Sequence, residues 1–175
     1  MARDGRVAVA RFDNYHVEWF ARDGKKIVGP IATYTPIEIN AAEKRAFLER
    51  QVRPGSITVQ NNPGGTAAPI ASGPRKAIFT ADTYDDKGMT WPARKPPFLA
   101  NALSIDGAGR AWVLRTAPHN APDLTYDVFD SAAKLILTVT IPPKTKVVGF
   151  GAKSVYLAFT DDDDLQHLYR YAAPQ

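Results

Sequence analysis

Two segments far apart in this chain read as the same piece of structure, and that repetition limits the fold more than any other feature. Arg6-Val-Ala-Val-Ala-Arg11 matches Arg110-Ala-Trp-Val-Leu-Arg115: both follow a Gly turn, with Val and Arg at equivalent places. The stretches after them also correspond, Val17-Glu-Trp-Phe20 with Tyr126-Asp-Val-Phe129, each trailed by a turn and a Lys. A weaker copy closes the chain, Lys153-Ser-Val-Tyr-Leu157 and then His167-Leu-Tyr-Arg-Tyr171. Units of short antiparallel strands recurring at about 40–50 residues cannot each bury two sheet faces, so they must pack face to face.

Most segments alternate with period two, which marks half-buried strands. Strands are predicted at 6–11, 15–20 and 25–30, with a turn signal at Asp23-Gly24. Further strands are predicted at 101–105, 110–115, 124–129 and 134–141, a set of four, and then at 147–150, 154–159 and 165–171. Asn40-Ala-Ala-Glu43 reads as a capping box, and the residues after it favour a short helix near 41–51. Residues 53–75, rich in Gly, Pro and Asn, read as a long loop.

The predicted fold is therefore all-β, a partial β-propeller of about three blades of four-stranded antiparallel sheets, with one short helix and a long loop. An incomplete blade spans 1–30, an insertion 31–97, a blade 98–142, and a last blade lacking its fourth strand 143–175. About 40–45 residues per blade would require on the order of 250 residues or more for six blades. The expectation is a fragment of a longer propeller. The alternative is two copies pairing to complete a ring.

Composition narrows the function classes. A hydrophobic content of 45% with 23% charged residues is that of a globular chain and argues against wholesale disorder. The absence of Cys excludes disulfides, thiol catalysis and thiolate metal sites. A net charge of +4 is mild, and basic residues do not cluster with aromatics in any nucleic-acid motif. Charges in Met1-Ala-Arg-Asp-Gly-Arg6 argue against a signal peptide, and no apolar run is long enough for a membrane-spanning helix.

Leu103-Ser-Ile-Asp-Gly-Ala-Gly-Arg-Ala-Trp-Val113, preceded by Pro96-Pro97-Phe98, resembles the bacterial six-bladed β-propeller family, distantly similar to NHL-type propellers. Tyr126-Asp-Val-Phe-Asp130, Val148-Gly-Phe-Gly151 and Leu165-Gln-His-Leu-Tyr-Arg-Tyr171 follow in that family's order, and residues 4–20 resemble an earlier blade. The likeness covers roughly two thirds of the chain and fails across residues 31–90. It implies an exported or lipid-anchored protein of the cell envelope, extracytoplasmic, and these blade-framework motifs say almost nothing about chemistry.

Candidate sites divide by residue type. His16, His119 and His167 share no ligand spacing, and neither a Gly-x-Ser-x-Gly elbow nor a phosphate loop occurs. The run Asp161-Asp-Asp-Asp164 joins two predicted strands; carboxylates on a loop can bind Ca²⁺, but this spacing favours a solvated turn. Arg11 and Arg115 end matching strands and are candidates to grip a carboxylate or phosphate, or else to form ion pairs between blades with Asp13, Asp127 or Asp130. Tyr84, Trp91 and Arg94 are candidate contacts for a protein or glycan partner, with packing of Trp91 against the propeller side as the competing reading.

The reading favoured is a non-enzymatic propeller that binds a protein, small-molecule or glycan ligand, with no cofactor, no metal site and no nucleic-acid partner. A Ca²⁺-dependent lactonase-like hydrolase is the enzymatic alternative; of its inner-strand oxygen ligands, the recognisable strands offer only Asn101. A homodimerising half-ring is the third reading.

Overall fold

The computed structural model describes residues 1–51, 89–142 and 144–174. The chain divides into two compact units, one formed by residues 1–38 with 93–175 and the other by residues 39–92.

The first unit contains three antiparallel sheets. The N-terminal sheet has the order β1 (Val7–Arg11), β2 (His16–Phe20), β3 (Lys26–Val28). The middle sheet runs β4 (Leu103–Ile105), β5 (Ala111–Leu114), β6 (Leu124–Phe129), β7 (Leu135–Ile141). The C-terminal sheet consists of β8 (Thr145–Phe150), β9 (Ser154–Thr160) and β10 (Gln166–Ala172), with β9 central. Every predicted strand is present within a few residues at each end. The clearest difference is Asn101, which lies outside β4 in a turn closed by Ala102 N–H to Leu99 O, with φ 62°.

Strict up-and-down order follows from the turns. Five share one backbone form, over residues 2–6, 21–25, 106–110, 130–134 and 161–165. In each, the first N–H donates to the fifth carbonyl, and the fourth N–H donates back to the first carbonyl. The fourth residue is left-handed: Gly5, Gly24, Gly109, Ala133 and Asp164, with φ between 60° and 84°. In the four that join paired strands, all but 2–6, this is the three-residue hairpin whose left-handed position favours glycine. Asp106, Asp130 and Asp161 each accept two backbone N–H bonds from their own turn, which fixes its shape.

Alternation gives the middle sheet two apolar faces, and both are covered. Ala111, Val113 and Phe129 pack with Tyr15, Val17 and Trp19 of the N-terminal segment. On the other face Trp112, Tyr126, Val128 and Ile141 pack with Val155 and Leu157. Two close backbone approaches tighten these layers. A Cβ at Gly29 would lie 2.0 Å from Ala133 O, and one at Gly107 would lie 2.2 Å from Gly151 O. Among the described residues the outer sheets are each packed on one side, and Val7, Val28 and Leu168 are 45%, 55% and 67% exposed.

The second unit contains helix α1 (Ala41–Gln51), at the position predicted from the capping box. Asn40 Oδ1 accepts the Glu43 N–H at 3.0 Å, as an N-cap should. The predicted long loop at 53–75 and Tyr84 lie outside the described residues.

Candidate functional site

Asp127 is a buried polar centre of the first unit. It is fully buried on β6, directly opposite Val113, on the face turned toward the N-terminal sheet. A carboxylate there needs donors around it, and three supply them: Tyr15 Oη at 2.7 Å, Arg115 Nε at 2.7 Å and Thr138 Oγ1 at 2.9 Å. Burial, reinforced by the adjacent Asp127 carboxylate, holds the Tyr15 hydroxyl protonated far above the usual phenol range. Arg115 makes a further bond to Thr33 O at 3.0 Å. The guanidinium is thus held from two sides while its side chain remains 28% exposed.

Beside it opens a cleft of about 310 Å³, lined by Tyr34, Lys95, Pro97, Arg115, Thr116 and Asp123 among others. The prolines and Tyr34 give it rigid, partly apolar walls. The cleft also holds two cations, Arg115 and Lys95, and one carboxylate, Asp123. Lys95 Nζ donates to Ala117 O at 2.9 Å, which holds the ammonium at the rim. Thr116 Oγ1 is buried and makes no hydrogen bond among the described residues. Fixed donors beside an apolar wall are the ingredients of a small-ligand pocket.

The other candidates fall elsewhere. Arg11 donates to Glu18 at 3.0 Å, on the face of the N-terminal sheet turned away from the middle sheet. Arg11 and Arg115 therefore do not converge on one ligand; each pairs with a carboxylate on the neighbouring strand of its own sheet. Glu18 also meets Lys26 at 2.6 Å and His16 at 3.4 Å. The Lys26 bond, with help from Arg11 and His16, outweighs burial and holds the Glu18 carboxyl at about 2. Arg94 is exposed and forms an isolated antiparallel bridge with Glu38. Trp91 packs edge-on to Phe47 of α1 at 5.4 Å and carries Lys44 Nζ 5.6 Å from its ring.

The acidic run forms the β9–β10 hairpin turn. Asp161 binds its own backbone and His167 Nε2 at 2.6 Å, which holds its carboxyl below the ordinary range, and Asp162 pairs with Lys144. Among the described residues no three His, Asp or Glu side chains are placed to hold a metal ion.

Arg115 was legible as a candidate from the repeat, whereas Lys95 and Thr116 carry no motif and reach the cleft only through the fold. In comparisons with protein-family models, curated proteins and solved structures, the chain matches none.

Proposed function

We propose that this chain is a propeller-type binding module of the bacterial cell envelope, non-enzymatic, which takes a small ligand bearing a carboxylate or phosphate in the cleft beside Arg115. The observation that carries the reading is the preset guanidinium: buried Asp127 and Thr33 O hold Arg115 at the cleft, which Lys95 also lines. A guanidinium already oriented loses little freedom when it binds an oxyanion, and its planar fork matches carboxylate and phosphate geometry. The propeller part of the proposal is supported by the recurring hairpins and by the middle sheet's two covered faces.

Calorimetric titration with a panel of small carboxylates and phosphate esters tests it. Ala121 lines the cleft without bearing charge, so Ala121→Trp should obstruct it while leaving both cations in place. Binding by the wild type, weakened at least about tenfold in Ala121→Trp and in Lys95→Met, is the expected result. No binding across the panel, or binding indifferent to both substitutions, defeats the reading.

A further inference from the structure

The three sheets share one register, and that register points to a partner for the exposed outer faces. In the middle sheet Val113 lies opposite Asp127, and Arg115, two residues on from Val113, binds that carboxylate. In the N-terminal sheet Val9 lies opposite Glu18, and Arg11, two residues on, binds it. In the C-terminal sheet Leu157 lies opposite Tyr169, and Phe159, two residues on, meets the Tyr169 ring at 6.4 Å. The positions are equivalent, so the contacts that join one sheet to the next can be compared directly.

Two of the hydrogen bonds that join the N-terminal segment to the middle sheet come from β2 and the residue before it. Tyr15, three residues before Glu18, donates to Asp127; Trp19, one residue after Glu18, donates through Nε1 to Asp130 O at 2.9 Å. The equivalents in the C-terminal sheet are Gln166 and Arg170, both donors and both exposed, on the strand β10. Arg170 lies opposite Tyr156 and Leu168 opposite Ala158, on the face turned away from the middle sheet. The acceptors that would match them are Glu18 and Ala21 O, on the uncovered side of the N-terminal sheet. Around Glu18 that side presents Val7, Phe20 and Val28.

We propose that the uncovered face of the C-terminal sheet docks on the uncovered face of the N-terminal sheet of a second copy of this chain. The junction repeats the internal sheet-to-sheet step. Gln166 would donate to Glu18 as Tyr15 does to Asp127, and Arg170 to Ala21 O as Trp19 does to Asp130 O. Leu168 would be covered by Val7, Phe20 and Val28. Glu18 is 6% exposed beneath Arg11 and Lys26, which are themselves 46% and 43% exposed, so Gln166 reaches its carboxylate by displacing one of these surface donors. Because the two surfaces differ, the contact is heterologous, and two copies joined twice close on themselves. The proposal does not depend on the cleft's holding a ligand.

Sedimentation of the purified chain with Val28→Glu and Leu168→Glu tests this. Both positions are more than half exposed, so the monomer's circular dichroism should survive each change. The wild type should be a dimer, and each single variant should dimerise about 100-fold more weakly. Mixed together, the two variants should restore one sound junction and form a one-to-one complex. A monomeric wild type, a mass that grows without limit with concentration, or a single variant that self-associates as tightly as the wild type overturns the proposal. The last result would show a junction between like faces or through another surface.

Discussion

Asp164 occupies the turn position held by Gly5, Gly24 and Gly109 in the sister turns, with φ 60°. A left-handed backbone costs a residue with a Cβ roughly 1 kcal/mol, somewhat less for Asp, and Asp164 is exposed and next to like charges. Asp164→Gly should therefore stabilise the chain by about 0.5–1 kcal/mol in urea unfolding. Gly29 is the opposite case: a Cβ there meets the Ala133 carbonyl, so Gly29→Ala should cost about 1–3 kcal/mol. Gly24→Ala, with nothing within 4 Å of the added carbon, should lose only about 1 kcal/mol, from its backbone alone. Glu18 sets a pH response. Its folded value near 2 lies below its ordinary 4.5, so its contribution is present above pH 4.5 and lost as pH falls toward 2. In a Glu18→Gln variant the stability-against-pH curve should flatten in that window, and an unchanged slope would remove Glu18 from the account.

At the scale of elements, the hold between the N-terminal and middle sheets combines apolar packing with the bonds converging on Asp127. Tyr15→Phe removes the hydroxyl that crosses between them while leaving the ring in contact with Phe129 and Phe98. A hydrogen bond to a charged group is worth about 1.5–3 kcal/mol, and that loss is expected in denaturant unfolding. Arg115→Met should be more severe, about 3–5 kcal/mol, because Asp127 stays buried without its cation. Pairing Arg115→Met with Asp127→Leu should recover much of that loss, since it leaves no orphaned charge. The same comparison explains the third sheet, where Phe159 and Tyr169 stand in the ion pair's place and no buried charge needs a partner.

Across the whole first unit, stability should fall from the middle sheet outward. Trp112, Val113, Val128 and Phe129 are buried on β5 and β6, whereas every residue of β10 is exposed. Local opening follows burial, so amides of β10 should exchange with solvent first and those of β5 and β6 last, read by hydrogen exchange. Uniform protection across the three sheets would contradict this gradient. The exposed β10 edge also carries His167, Tyr169 and Tyr171 in a row of ring contacts that Phe159 of β9 extends, a surface that favours association over solvation.

The strands, the helix and the hairpin turns were legible in the chain because their causes are short-range. Period-two alternation, Asp-Gly punctuation and the Asn40 cap act within a few residues, and even the repeat of Arg11 and Arg115 was visible as text. Tertiary structure alone decided what those repeated residues do. Burial turned Asp127 into the shared acceptor of Tyr15, Arg115 and Thr138, while Glu18, at the equivalent position, faces away from the middle sheet. The cleft likewise gathers Lys95, Thr116 and Tyr34 from segments that no local pattern connects. Which face of a sheet is covered depends on its neighbour, and that information is carried by long-range packing rather than by any single stretch of sequence.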